Sequence, residues 1–358
     1  MGKAHSVAMQ AVAAVFDTRL RPRLEMICTT TAQGAAEKAR MFGYARSTAD
    51  WRALIADPKV EAVVIASPQD SHCAIALAAF AAGKHVLCEK PLGMDLAQCR
   101  TMVAAAEASG LTHMTGFNYI RTPASQLARE IIAAGEIGEM TCFRGEHTED
   151  FLADSRLPAD WRTRGRANGN MGDLAPHPIN AALALAGPIA SLVAEIETVH
   201  AVRPSPSGPE PVTNDDQAML ICRFASGVMG SIYSSRTATG RKMGYAYEIT
   251  GTRGAIRFDQ EDQNALWLYK GDQKPDRQGF TKILTGPLHP DYKPFCLGPG
   301  HGTGYQDQII IEARDFLEAI ADRTSRWPTF RDGMQVNQVI EAAWLSHTER
   351  RWVSVNEL

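Results

Sequence analysis

Along the first third of the chain, hydrophobic positions switch between two spacings. Residues 23–28, 60–66, 85–89 and 112–117 are short runs rich in apolar and β-branched side chains, clearest in Val60-Glu61-Ala62-Val63-Val64-Ile65-Ala66. Such runs fit strands buried on both faces of a parallel sheet. Between them, residues 33–42, 51–56, 72–82 and 96–109 have the character of helices, and residues 3–16 read as a helix ahead of the first strand. Gly43 and Gly83 stand where a helix end favours a left-handed residue, and Asp57-Pro58 stops the helix before it. Strands separated by helices of this length predict βαβ units with right-handed crossovers, and so a doubly wound sheet.

After Asn118 the texture changes. Residues 125–134 predict a helix; strand-like segments follow at 140–146, 191–202, 218–224, 228–234, 245–250, 255–259 and 265–269, separated by turns such as Gly251-Thr252-Arg253-Gly254. Strands that succeed one another without helices predict a mainly antiparallel sheet, open on one face. Residues 204–211 form a Pro/Ser/Gly loop, 271–304 a long Gly/Pro-rich excursion, and 306–322 and 332–350 two closing helices. The expected fold is therefore α/β: an N-terminal Rossmann domain over residues 1–118, then an α+β domain for substrate binding and oligomerisation over 119–358. The closing helices are expected to pack back on the first domain.

Doubly wound domains open with a strand and a Gly-rich turn that sets pyrophosphate on a helix N-terminus. Here Met1-Gly2 leads directly into the helix-like stretch 3–16. Reading Gly2 as the last glycine of that turn predicts that the first strand is truncated and lies upstream of Met1. The strand is central, so its loss would leave ladder groups unpaired on both neighbours, at about 1–3 kcal/mol for each buried group, against roughly 5–15 kcal/mol for a whole domain.

Composition narrows the class. With 358 residues, 45% of them hydrophobic, the chain is long enough for two cores and too apolar to be disordered. Lys+Arg 37 against Asp+Glu 40 offers no basic field for nucleic acid. No run reaches the length of a membrane span, and the start lacks a signal peptide's regions, so a cytoplasmic protein is expected. Seven cysteines, odd in number and without a CxxC pair, read as thiols in a reducing compartment rather than as a disulfide frame or zinc site. The ten histidines show no HxxxH or HExxH spacing, and no metal is expected.

Two constellations carry chemistry. Glu89-Lys90-Pro91 ends a predicted central strand, where open α/β sheets place their ligands, and a lysine there is a compact cation whose pKa moves readily. In Gly169-Asn170-Met171-Gly172-Asp173-Leu174-Ala175-Pro176-His177, Asp173 and His177 are four apart, so a helical turn puts them on one face. A histidine that titrates near neutrality suits removal of an alcohol proton, and a neighbouring carboxylate can orient it. Taken alone, a surface lysine and a structural Asp–His pair account for the same residues.

The string Ala82-Gly83-Lys84-His85-Val86-Leu87-Cys88-Glu89-Lys90-Pro91, with Ile65-Ala66-Ser67-Pro68-Gln69-Asp70-Ser71-His72 and Gly116-Phe117-Asn118-Tyr119, resembles the glucose–fructose oxidoreductase/inositol dehydrogenase/rhizopine catabolism (Gfo/Idh/MocA) family over essentially the whole chain. The resemblance implies an NAD(P)-dependent dehydrogenase that oxidises a hydroxyl of a sugar or inositol-type polyol, working as a homo-oligomer. It implies Lys90, Asp173 and His177 as catalytic groups, and a Lys90–Pro91 bond that is commonly cis. Gly2, Thr29, Ser67, Pro68, His72, Glu89, Lys90, Asn118, Trp161 and Arg162 match positions near the cofactor. Arg121, His147, Glu149 and His301 join the catalytic three as candidates for the sugar. The family's usual Gly-Gly-Gly is varied to Gly169-Asn170-Met171-Gly172, and Asn180 replaces a frequent Asp, which bears on the sugar preferred. Thr29, in Cys28-Thr29-Thr30-Thr31, stands where an acidic residue would hold the ribose diol, and no arginine follows at once, so NAD and NADP stay open. Two alternatives share most of these motifs: a non-catalytic nicotinamide-binding sensor or regulator, against which the three retained groups speak, and an NAD-assisted glycoside lyase or hydrolase, which would release no reduced cofactor.

Overall fold

The structure, a computed structural model, describes residues 1–358. It comprises two compact units: residues 1–121 with 304–335, and residues 122–303 with 336–358.

The first unit begins with α1 (Gly2–Phe16), β1 (Met26–Cys28), α2 (Ala32–Phe42), β2 (Arg46–Thr48), α3 (Trp51–Ala56), β3 (Ala62–Ile65), α4 (His72–Ala81), β4 (His85–Glu89), α5 (Leu96–Ser109) and β5 (His113–Gly116). The ends of these helices follow from side-chain chemistry. Asp50 accepts the amide of Arg52 to start α3, and Asp95 that of Gln98 to start α5. Gly43 and Gly110 close α2 and α5 in the left-handed region, at φ 73° and 66°. All five strands are parallel, as expected, but they form a pair, β1–β2, and a triplet, β3–β4–β5, with no ladder joining the two. Val63, Ile65, Ile75, Phe80, Val86 and Met102 form the core around the triplet.

The second unit starts with α6 (Pro123–Ala133) and is built on a sheet of β6 (Met140–Thr148), β7 (Ile189–Glu197), β10 (Gln217–Phe224), β11 (Met229–Ser235), β12 (Gly244–Gly251), β13 (Gly254–Asp259), β14 (Ala265–Lys270), β15 (Thr281–Leu284) and β16 (Val353–Ser354). Two short strands, β8 (Val202–Arg203) and β9 (Glu210–Pro211), pair separately around the Pro/Ser/Gly loop. The order across the sheet is β15-β14-β13-β12-β6-β11-β10-β7-β16, antiparallel throughout except that β6 and β11 run parallel. The strand expected to run to residue 202 ends at Glu197 because the Asp216 carboxylate takes the amides of Val199 and His200, at 2.8 and 3.0 Å, and turns the chain away. Along β10, Ala218, Leu220, Cys222 and Phe224 are buried while Met219 and Ile221 are 54% and 45% exposed, the alternation of a sheet covered on one face. The cover comes from α7 (Asn170–Asp173) and α8 (Pro176–Ala186), with α6 against β14.

Two helices close the chain. In the first unit, α9 (Tyr305–Ala321) packs along α1, burying Ile309, Ile310 and Phe316. α10 (Phe330–Glu349) starts in the same unit, where Phe330 meets Phe80 ring to edge and His113 at a tilt, and ends in the second. No helix is long and apolar enough to cross a membrane.

Candidate active site

In the first unit the parallel strands bring Thr29, Ser67-Pro68, Lys90 and Asn118 to their C-terminal ends, the edge at which α/β sheets bind ligands. Lys90 is half-buried at the end of β4, and the Lys90–Pro91 bond is cis. The side chain before it points inward. Glu89 is buried, with Oε1 2.7 Å from Nε2 of His5 on α1. Burial alone would raise the Glu89 carboxyl, but the hydrogen bond and charge of His5, together with Lys90, hold it below its usual range. Burial likewise opposes charge on His5, and Glu89 overrides it, so the imidazole's pKa is raised. Gly116 leaves this carboxylate room: a Cβ there would lie 3.2 Å from it, a tight contact that the carboxylate would have to yield to.

Glu312 on α9 lies beside this pair, close enough that one ligand atom from each of His5, Glu89 and Glu312 falls within 4.8 Å of the others. Arg121, expected among the sugar ligands, is buried here: its Nε is 3.6 Å from Glu312, and its Nη1 binds Asp315. Its guanidinium thus serves an internal charge cluster of the first unit.

The other expected cofactor residues have defined partners. The ring nitrogens of His72 lie 3.0 Å from the Pro91 carbonyl and 3.1 Å from that of Ser67, and burial pushes its pKa down. A neutral ring donates from one of them, linking the turn after β3 to the turn after β4. Ser67 and Ser71 share a hydrogen bond of 2.5 Å, Thr29 donates to the Thr31 carbonyl at 3.0 Å, and Asn118 donates to Gln308 at 3.0 Å. Gly2 opens α1 in free space; an added Cβ would meet nothing within 4 Å. Small hydroxyls and one lysine along the ligand edge suit a dinucleotide, which needs donors and close backbone approach rather than bulk.

In the second unit the D-x-x-x-H spacing lies in one helical path: α7 carries Asp173, Leu174 and Ala175 stay right-handed helical, and α8 carries His177. Asp173 and His177 therefore share a face, as the spacing predicts. Pro178, lacking an N–H, cannot bond the Leu174 carbonyl four residues back. That oxygen instead receives the amide of His177 and Nδ1 of His147, each at 3.2 Å. Nε2 of His147 is 2.9 Å from Glu149, so the ring bridges this carboxylate and the Leu174 carbonyl. The rings of His147 and His177 meet edge to face at 5.3 Å, and Tyr245 packs on both at 6.0 and 6.5 Å. His147 thus joins Glu149 and His177, with Tyr245 as a member the sequence did not suggest.

Trp161 is 56% exposed, and the Arg162 guanidinium stacks over its ring at 4.3 Å. His301 is exposed on the long loop, its ring against Gly298, between Gly300 and Gly302 at φ 76° and 86°. Also unforeseen is a buried network behind α7. Arg236, 1% exposed, donates to Asp216 at 2.9 Å, Asn214 at 2.6 Å, and the carbonyls of Arg162 and Asn168 at 2.7 and 3.0 Å. Asn214 returns to the carbonyls of Arg162 and Gly165 at 2.8 and 3.1 Å. The only sequence signal is a run of polar residues, Asn214-Asp215-Asp216, directly ahead of a strand.

Residues 1–117 match the family described as "Oxidoreductase family, NAD-binding Rossmann fold", and residues 125–257 match "GFO/IDH/MocA C-terminal domain". Among curated proteins, levoglucosan dehydrogenase of Pseudarthrobacter phenanthrenivorans is 38% identical over 375 residues, covering 100% of this chain and 96% of its own. Inositol 2-dehydrogenase of Rhizobium meliloti is 26% identical over 361 residues, covering 99% and 96%. A solved levoglucosan dehydrogenase, in complex with NADH and levoglucosan, superposes with a TM-score of 0.96 at 39% identity, over 99% of this chain and 96% of that one.

Proposed function

From the premise that this chain belongs to the Gfo/Idh/MocA oxidoreductase family and carries its NAD-binding Rossmann fold, we propose that it is an NAD-dependent dehydrogenase that oxidises a ring hydroxyl of a sugar, with anhydrosugars such as levoglucosan foremost. The observation that carries the reading is full-length likeness to levoglucosan dehydrogenase. The cluster of His147, Glu149, His177 and Tyr245 adds support, since it supplies acid–base groups and an aromatic wall in one place.

When bound, the nicotinamide supplies the hydride acceptor. His177 takes the hydroxyl proton as the carbon-bound hydrogen leaves. Lys90 donates a hydrogen bond to the reacting oxygen and stabilises its developing negative charge. Asp173 orients a neighbouring hydroxyl or the imidazole, while His147 and Glu149 hold further hydroxyls. For the coenzyme, the NAD-binding description of the family and the NADH held by the solved levoglucosan dehydrogenase favour NAD over NADP. The exposed row of Met219, Ile221 and Met229 on the open sheet favours a homo-oligomer, which light scattering would test.

The test is reduction of NAD or NADP, followed by absorbance, with levoglucosan, L-sorbose, myo-inositol and glucose as substrates. NAD-dependent turnover on levoglucosan is expected. Lys90→Ala should keep NAD binding but lose turnover by about 10²–10⁴-fold, the scale of removing one proton-transfer or oxyanion group. No turnover on any of these with either coenzyme would overturn the reading, and so would full activity in Lys90→Ala.

A further inference from the structure

The helical turn that carries Asp173 begins without a cap of its own. Gly169 is its N-cap, in an extended conformation at φ −76° and ψ 179°, and has no side chain to accept the exposed amides of the first turn. We infer that Asp215 supplies this cap from 44 residues away and is a positioning residue for Asp173 and His177, an inference that rests on the dehydrogenase reading above.

Three observations converge on it. The Asp215 carboxylate accepts the Met171 amide at 2.7 Å, the second residue of α7 and the usual target of an N-cap oxygen. The Asp215 carbonyl accepts the amide of Asn170 at 2.9 Å, so one residue satisfies the first two donors of the turn. The Gly169 position is shaped to receive it, since a Cβ there would lie 2.0 Å from Oδ1 of Asp215. The glycine and the distant carboxylate therefore occupy the place that a serine or aspartate at 169 would fill by itself.

From this cap the path to the chemistry is short. Leu174 and Ala175 donate to the Asn170 carbonyl, His177 donates to that of Leu174, and His147 binds the same Leu174 oxygen. A shift of the first turn moves Asp173 directly and both histidines through Leu174. The other side is fixed by Gly172, where a Cβ would come within 1.9 Å of the Ala167 carbonyl, and by Asn170, whose amide donates to Ser234 at 2.9 Å. Burial raises the Asp215 carboxyl to about 6, so the protein holds a carboxylate there against its own solvation, a cost commonly retained near functional sites.

The experiment moves the cap from one residue to the other. Asp215→Ala removes the carboxylate and leaves the carbonyl bond to Asn170; Gly169→Ser in that background restores a side-chain oxygen locally, because only Cβ of Asn214, at 3.1 Å, still crowds a side chain there and the extended backbone of residue 169 suits an N-cap. In Asp215→Ala, kcat on the sugar should fall about tenfold or more while KM for NAD stays within about twofold, the signature of lost positioning. The double variant should recover kcat to within about threefold. Unchanged kcat in Asp215→Ala would overturn the assignment, as would a folded double variant that recovers nothing. In parallel, the ring resonances of His177 are read by NMR in protein made with ring-labelled histidine, assigned through His177→Gln. They should shift in Asp215→Ala and return in the double variant; resonances that stay in place would overturn the proposal. This readout needs no turnover, so a protein that oxidises no sugar refutes the dehydrogenase reading while NMR still decides the role of Asp215. Should Asp215→Ala not fold, the double variant must fold and reproduce the native His177 signal; failure in either respect would overturn the assignment.

Discussion

Replacing Gly169 by alanine would set a methyl carbon 2.0 Å from Oδ1 and 3.0 Å from Cγ of Asp215, and 3.1 Å from Cβ of Asn214. Ordinary contact begins near 3.4 Å, so the oxygen must retreat by about 1.4 Å. The backbone at residue 169 is extended, and the penalty is packing rather than torsion. Because the Cγ lies at 3.0 Å as well, the whole carboxylate must move, carrying Oδ2 away from the Met171 amide it accepts at 2.7 Å and leaving a buried carboxylate poorly satisfied, worth about 1.5–3 kcal/mol. Overpacking adds about 1–3 kcal/mol, for a total of about 2.5–6 kcal/mol. At about 2–4 °C per kcal/mol for a unit of this size, the thermal midpoint should fall by about 5–24 °C. Calorimetry of Gly169→Ala, Asp215→Ala and the double variant forms a cycle in which the alanine at 169 costs under about 1 kcal/mol once the carboxylate is gone. Strict additivity, or a Gly169→Ala protein within about 1 kcal/mol of the parent, would refute the reasoning.

Two further outcomes are expected. His5 has a raised pKa, so its contribution to stability is complete below about 6.5 and is lost as pH rises through the elevated value; Glu89, held low, contributes above about 4.5 and loses its share in acid. His5→Gln keeps a neutral donor, so melting curves between about pH 6 and 9 should show a smaller alkaline loss than the parent; equal slopes would argue against the ion pair. Arg236→Lys places one ammonium where a guanidinium serves four acceptors, and should lower stability by about 3–5 kcal/mol in denaturation experiments; a change under about 1 kcal/mol would mean that the network is dispensable.

Much of the fold was legible because its punctuation is local. Residues 51–56, 85–89 and 96–109 match their elements at both ends, where Asp50, Asp95 and Gly110 mark the boundaries through caps and left-handed φ. β2 and β15 were not legible: Arg46–Thr48 is polar, Thr281–Leu284 is mostly exposed, and each is an edge strand whose existence depends on a partner. The parallel pairing of β6 with β11 is equally silent, since alternation reports which face a residue takes and not which neighbour it meets. Among the candidate residues, Lys90, Asp173 and His177 stood out only when strand-end placement and helical spacing were joined to the family resemblance. Asp215 and Arg236 did not, because what they hold lies 44 to 74 residues away. Arg121 shows the converse, a buried charge whose partners Glu312 and Asp315 lie nearly two hundred residues downstream, beyond what local pattern can reach.

That the first unit draws on residues 304–335 as well as 1–121 sets an order on its birth. On the ribosome, α1 and the strand triplet emerge long before α9, whose Ile309, Ile310 and Phe316 are needed to cover them. About 180 residues, all belonging to the second unit, are translated in the interval, which at roughly 5–20 residues per second lasts about 10–40 s. For that time the nascent first unit exposes the apolar side of α1 and leaves Arg121 without Asp315 and Glu312. The second unit also waits, for β16 and the end of α10, but its sheet can form from β6 to β15 beforehand. Of the two units, the one whose residues begin earlier is therefore the one that waits longest for a segment it needs.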